Sequence, residues 1–401
     1  MPRHRPLPAR AAPTALLLAG ILLIAANLRA PVTGLAPVLA TIQASFGLGT
    51  AQAGLLTTLP LLAFALLSPV APLLARRIGL ERALFAALVL IAGGVALRSA
   101  GPLGCLYGGT AVIGAGIALG NVLLPSLLKR DFPARITTVT SAYALTMGVA
   151  AATASATVFP LATGAGLGWA GALAAIVVLP LTALVVWWPQ LARRAALPAP
   201  GAAARVRSVW RSALAWQVTL FMGLNSFIYY VMIGWLPSVL TGSGHSAAEA
   251  GSLHGVMQLA SAFSGLLVGP VVQRLRDQRM AAFGVSLLLS AGILGLMREP
   301  GWALLWVACF GFGSGACLIL SLSFMGLRTH GPAQAAALSG MAQSVGYLLA
   351  AAGPPLVGLL HDLSGGWHLP LAVCLVLTLV IAGLGPLAGR DLRVPGEDAP
   401  G

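Results

Sequence analysis

Apolar runs of about 20 residues recur along the whole of this 401-residue chain, each long enough to cross a ~30 Å hydrocarbon core as a helix. In lipid every backbone polar group must find its partner within the chain, so a crossing segment is either a helix or a strand of a closed barrel. Barrel strands read as short segments of alternating polarity, and these runs do not alternate. A soluble fold is excluded as well. With 58% hydrophobic and 8% charged residues, the chain has too few polar groups to cover a folded surface. The expected fold class is an all-α polytopic membrane protein.

Twelve spans are expected, over residues 14–38, 50–75, 82–99, 102–127, 137–159, 168–188, 213–238, 249–272, 280–297, 302–325, 334–360 and 367–388. Short Gly/Pro-rich links make neighbouring helices antiparallel. The net charge of +14 raises the question of nucleic acid, but its placement argues otherwise. Arg76, Arg77, Arg82, Lys129, Arg130 and Arg135 follow spans two and four. Arg193, Arg194, Arg205, Arg207, Arg211, Arg274, Arg276, Arg279 and Arg328 follow spans six, eight and ten. With Arg3, Arg5, Arg10, Arg390 and Arg393, these put 20 of the 23 basic residues on one side. Arg98 and Arg298 fall on the other. This is the positive-inside pattern, with both termini cytoplasmic, in a bacterial inner membrane. Tryptophans near span ends, Trp235 among them, read as interfacial anchors. The N-terminal stretch resembles a secretory signal but continues too far, and is read as an uncleaved first span. Cys105, Cys309, Cys317 and Cys374 lie in apolar segments without metal spacing and read as small hydrophobes. No cofactor is implied, and a monomer is expected.

The longest polar link, residues 190–212, separates six spans from six. The expected organisation is an N-terminal bundle over 1–189, a cytoplasmic linker over 190–212 and a C-terminal bundle over 213–401, which makes two six-helix bundles. The halves resemble one another: Ser141-Ala-Tyr-Ala-Leu-Thr-Met-Gly148 matches Ser339-Gly-Met-Ala-Gln-Ser-Val-Gly346, and Pro69-Val-Ala matches Pro270-Val-Val. Paired halves with substrate held near the midplane are a transporter architecture.

Four stretches carry a family resemblance: Asn27-Leu-Arg-Ala-Pro-Val-Thr33, Gly54-Leu-Leu-Thr-Thr-Leu-Pro60, Trp235-Leu-Pro237 and Leu338-Ser-Gly-Met-Ala-Gln-Ser-Val-Gly-Tyr347. In these the chain resembles the cyanate porter (CynX/NimT-like) family of the major facilitator superfamily, over nearly its whole length. The resemblance implies twelve helices, alternating access and a cyanate-like substrate class. The chain departs from the superfamily in the loop after span two. There Ala75-Arg76-Arg77-Ile78-Gly79 places Arg76 where an Asp is usual, which puts the charge relay attributed to that Asp in doubt.

Arg29 is the candidate centre of function. It is the only Lys or Arg expected deep within a span, at an insertion cost of roughly 2.5–3.5 kcal/mol. No Asp or Glu is expected at its depth, so a substrate anion is the leading counter-charge, against bonding to backbone carbonyls. Thr33 lies one turn on, and Pro31 between them should bend the helix. A planar guanidinium suits a carboxylate, cyanate or nitrate-like group. Asn225, Tyr229 and Tyr230 in span seven, His254 and Gln258 in span eight, and Gln343 and Tyr347 in span eleven are further candidates, with Asn121 and Tyr143. Each also admits a plain reading as an interhelical hydrogen bond or an interface anchor. His254 is the candidate for a coupling proton.

The expected function is secondary transport, by alternating access, of a small anion or an anionic or nitro-bearing organic compound. The expected partners are that substrate, the bilayer, and a proton or counter-transported anion. A broad-specificity drug or metabolite efflux carrier is the alternative. An enzyme is disfavoured by the lack of paired intramembrane carboxylates, a metal-spaced His cluster or a Ser–His–Asp set. A channel is disfavoured because a single Arg makes no charged ring.

Overall fold

A computed structural model describes residues 14–67, 70–132, 135–192, 207–330 and 332–395. Among these residues there is no strand, and twelve helices are long and apolar enough to cross a membrane. In the first half they are α1 (Ala15–Phe46), α2 (Thr50–Leu67), α3 (Leu80–Arg98), α4 (Leu103–Leu128), α5 (Thr138–Thr163) and α6 (Gly168–Ala192). In the second half they are α7 (Ala213–Gly242), α8 (Ala247–Val272), α9 (Arg279–Arg298), α10 (Pro300–Leu327), α11 (Ala337–Ser364) and α12 (His368–Ala388). Arg3, Arg5, Arg10, Arg193, Arg194 and Arg205 lie outside the described residues, as does most of the 190–212 linker.

Two spans differ from expectation. α1 runs on to Phe46, and α2 stops at Leu67, after which a separate short helix, Ala71–Ile78, carries Arg76 and Arg77. Within α1 the bend is a full break. Regular helix ends at Asn27, where the Leu28 N–H turns back to the Ala25 carbonyl, and resumes over Ala30–Thr33. Pro31, which has no N–H to give, stands just after the interruption. A second irregularity, the 3₁₀ turn Ala36–Val38, contains Pro37.

Each half packs internally: α1 on α5 and α6, α2 and α3 on α4, then α7 on α11 and α12, α8 on α10, and α9 on α10 and α12. The halves meet along two seams, α2 with α11 and α5 with α8. Small residues allow these seams to close. A Cβ at Gly54 would stand 2.9 Å from the Pro354 carbonyl, and one at Gly148 only 2.3 Å from the Ala262 methyl.

The alternation of twelve spans puts both ends of the chain on one side, the near side. There each half is tied by an arginine at the end of its fourth span. Arg130 donates to buried Glu81 at 2.6 Å and to Asp131 at 2.7 Å, while the Trp187 indole donates to the Glu81 carbonyl at 3.0 Å. The hydrogen bond to Asp131, with that to Glu81, holds the Arg130 guanidinium above its ordinary pKa. In the second half Arg328 donates to Gln278 and to the Ala388 and Gly389 carbonyls that end α12. An acid–base link therefore exists on the near side despite the Arg at position 76: Glu81, at the start of α3, supplies the carboxylate.

Two sequence readings need correction. Trp235 is not an interfacial anchor. It is 1% exposed, and its indole N–H is bonded to the Pro354 carbonyl at 2.9 Å. Arg98, counted with the far-side charges, is turned inward. It is also 1% exposed, and its Nη1 donates to the Pro31 carbonyl at 2.5 Å. The broken α1 explains this contact, because the Leu35 N–H bonds to Val32 and leaves Pro31 oxygen for another donor. Arg29 is thus not the only arginine inside the protein.

Candidate functional site

The break in α1 presents Arg29 to the second half. Arg29 caps the segment that restarts at Ala30, with φ −128° and ψ −44°, so its side chain leaves from a non-helical turn. Its Nη1 donates to the Tyr229 hydroxyl of α7 and, at 3.2 Å, to Gln258 Oε1 of α8. The guanidinium carbon sits 5.1 Å from the centre of the Tyr229 ring, within cation–π range. Among the described residues, Arg29 is bonded through Nη1 alone, and its other nitrogens are absent from the buried, unpartnered polar atoms. Half of the guanidinium fork is therefore pinned by neutral groups and half is open.

Behind this contact lies a chain of polar groups whose directions can be worked out from proton counts. The Ser155 hydroxyl of α5 donates to the Gly251 carbonyl at 2.9 Å and lies 2.7 Å from His254 Nδ1. In the arrangement that satisfies every group, Ser155 gives its proton to Gly251, His254 donates from Nδ1, and a Gln258 amide donating to Nε2 makes the imidazole neutral. His254 Nε2 is then an acceptor for Gln258 Nε2, at 3.4 Å. Gln258 Oε1 accepts from the Tyr229 hydroxyl at 2.6 Å, which leaves the Tyr229 oxygen to accept from Arg29. Donation then runs in one consistent direction, from Arg29 in the first half, through Tyr229 of α7 and Gln258 and His254 of α8, to Ser155 in the first half again.

The open edge of Arg29 borders a cavity of about 310 Å³ between the halves. Arg29, Thr33, Asn121, Tyr143, Tyr230, Gln343 and Tyr347 all line it, with Pro60, Leu61, Phe64, Met147 and Leu318 among its apolar wall. Phe64 and Tyr347 meet across the halves with ring centres 4.4 Å apart and planes tilted by 48°. A smaller recess of about 50 Å³ adjoins the same guanidinium and is lined by Asn225, Ser226, Tyr229, Tyr230, Ser261 and Ser314. A volume near 300 Å³, mostly apolar with a few convergent polar groups, suits one small organic molecule.

Nine of the eleven candidate residues thus border the cavity or its recess. His254 and Gln258 border neither. His254 is fully buried one layer behind, and Gln258 acts as the brace between it and Arg29. Thr33 contributes little polarity to the wall, because its hydroxyl is turned to the Ala151 and Arg29 carbonyls at 3.2 Å. Sequence reasoning missed Ser155, which lies in a run of Ala and Thr with no polar periodicity to single it out. It also missed Phe64, one aromatic among many apolar residues of α2, and the three serines of the recess.

The halves are joined by hydrogen bonds on one side of this cavity. Among the described residues these bonds are Arg29 to Tyr229 and Gln258, Thr58 to Ala351, Ser155 to Gly251 and His254, and both the Ala51 N–H and the Thr50 side chain to Asp362. All run from the midplane to the far side. At the far edge the Asp362 carboxylate of α11 accepts from the first turn of α2, where a helix N-terminus favours negative charge.

Comparison with known proteins agrees with this architecture. The family described as Major Facilitator Superfamily matches residues 16–351. The chain is 56% identical over 379 residues to the 2-nitroimidazole transporter of Escherichia coli (strain K12), covering 94% of this chain and 96% of that protein. It is 28% identical over 370 residues to the cyanate transport protein CynX of the same organism, covering 90% and 94% of the two chains. Among solved structures, a bacterial homologue of the human lysosomal transporter Spinster, in an inward-facing and occupied conformation, aligns with a TM-score of 0.76. The identity there is 16%, over 94% of this chain and 97% of that one.

Proposed function

The chain belongs to the Major Facilitator Superfamily and is a multi-pass membrane transporter, and we propose that its substrate is a compact planar compound bearing a nitro or carboxylate group. The observation that carries this reading is the half-open guanidinium of Arg29, braced by Tyr229 and Gln258 on one edge and turned to the cavity on the other. Two parallel N–H donors match the two oxygens of a nitro or carboxylate group. The Tyr143, Tyr230, Tyr347 and Phe64 rings around the cavity suit a flat body by stacking and burial. The names of two relatives, a 2-nitroimidazole transporter and a cyanate transporter, point to the same chemistry.

The contacts between the halves fit alternating access. Bonds on the far side close that entrance, while the opening lies toward the near side. The basic near-side loops support reading that side as the cytoplasm of a bacterial inner membrane, with both termini cytoplasmic and the conformation inward-facing. Residues 1–189 and 213–401 are the two rocking units and 190–212 the tether, in a monomer. We read His254 as a neutral positioning residue. Both of its nitrogens are engaged, and a proton added at Nε2 would meet the Gln258 amide, itself a donor.

Counterflow in proteoliposomes tests the reading. Vesicles preloaded with unlabelled 2-nitroimidazole should accumulate the labelled compound saturably, and Arg29→Ala should abolish this while the purified variant stays folded. Undiminished counterflow in a folded Arg29→Ala protein would overturn the assignment.

A further inference from the structure

Asn225, in the small recess beside Arg29, carries a buried amide oxygen with no partner. The residue is 2% exposed and its Nδ2 donates to the Ser314 carbonyl at 3.1 Å. That bond fixes the orientation of the amide, because the nitrogen must face a carbonyl and the oxygen must face the other way. Oδ1 is then the group left without a hydrogen bond. A buried acceptor in this position costs free energy until a donor reaches it. Arg29, a donor, and Asn225, whose Oδ1 is an unsatisfied buried acceptor, line the same recess. The site therefore has two polar readers of opposite sense, and an anion satisfies only the first.

We infer that the transported molecule carries an N–H or O–H donor in addition to its nitro or carboxylate group, and that Asn225 Oδ1 receives it. This rests on the proposed role of Arg29 and narrows the substrate class. The ligand is a small ring with an acceptor edge for the guanidinium and a donor edge for Asn225, such as an unsubstituted nitroazole or a hydroxylated aromatic acid. The recess has room for only a few atoms, about 50 Å³, so the donor belongs to the ring or to a substituent directly on it. Sites built to hydrogen-bond a substrate group reject analogues that lack it far more strongly than apolar pockets reject a missing methylene. Asn225 is accordingly a specificity-determining residue.

Binding of three probes to purified protein, followed by calorimetry, tests this. They are 2-nitroimidazole, 1-methyl-2-nitroimidazole and 2-nitrothiophene; the last lacks the donor without adding bulk. Wild type should bind 2-nitroimidazole at least about tenfold more tightly than either analogue. Asn225→Leu, which removes the acceptor without enlarging the recess, should bring 2-nitroimidazole and 2-nitrothiophene to within about twofold of one another. Equal binding of these two by wild type would overturn the inference, and so would a preference that survives in Asn225→Leu. The wild-type comparison stands alone if the variant does not fold. Arg29→Ala separates the two claims. If all three probes bind it as they bind wild type, the guanidinium reading fails, whereas equal binding by wild type with loss in Arg29→Ala refutes only the role of Asn225.

Discussion

Arg29 shows how a charge can be kept inside a membrane protein without a counter-acid. Its neighbours are a phenol, an amide and an aromatic face, all neutral, so the net charge is solvated by dipoles and left uncancelled. Such a site attracts an anion more strongly than an ion pair would. Lysine has the same charge but no fork, so Arg29→Lys should weaken binding of a nitro or carboxylate compound by about tenfold or more, read by titration calorimetry. Tyr229→Phe removes the oxygen that orients the fork and should weaken binding while leaving the protein folded. At His254 the tautomer imposed by Ser155 predicts a different outcome. His254→Gln should retain substrate accumulation driven by an imposed pH gradient, if wild type shows it, because the imidazole holds Gln258 in place and stays neutral. Loss of gradient-driven accumulation with intact counterflow would instead make His254 the coupling group.

At the scale of elements, the broken α1 does most of the positioning. Pro31 interrupts the helix, Arg29 emerges from the interruption, and the carbonyl that Pro31 leaves is taken by Arg98 from the end of α3. Pro31→Ala should mend the helix and turn Arg29 away, so that affinity falls by about tenfold or more even as helix stability rises by up to about 3 kcal/mol. Arg98→Leu should lower the melting temperature and the affinity together, because an unbonded buried carbonyl costs about 1–3 kcal/mol. A bend was legible beforehand, because a proline inside a span gives no N–H to the helix, but its extent as a full break was not. Arg98 was not, because position in the chain places a residue at a span end but does not say whether its side chain turns outward or in. Trp235 misled for the same reason, and Glu81, which pairs with Arg130 on the near side, went unnoticed.

Across the whole molecule, the hydrogen bonds that join the two halves lie, among the described residues, on one side of the cavity. The spans and their number were readable from hydropathy, since both follow from the bilayer itself. The recess and the Ser155–His254–Gln258 relay were not, because they depend on which faces of α5, α7, α8 and α10 meet, and nearly featureless apolar helices do not announce their faces. Closure on the far side rests partly on Asp362 against the start of α2. In a background without the four native cysteines, Ala51→Cys with Asp362→Cys should cross-link readily with a short bifunctional reagent and stop transport while sparing substrate binding. The central claim, that Arg29 recognises the negative group of a substrate held between the halves, is tested most directly by equilibrium binding of 2-nitroimidazole to purified wild type and to Arg29→Ala of matched thermal stability. The account predicts saturable one-to-one binding to wild type and a loss of about a hundredfold in the variant, a change in keeping with removing a charge-assisted pair of hydrogen bonds. Binding of equal strength to both proteins would contradict it.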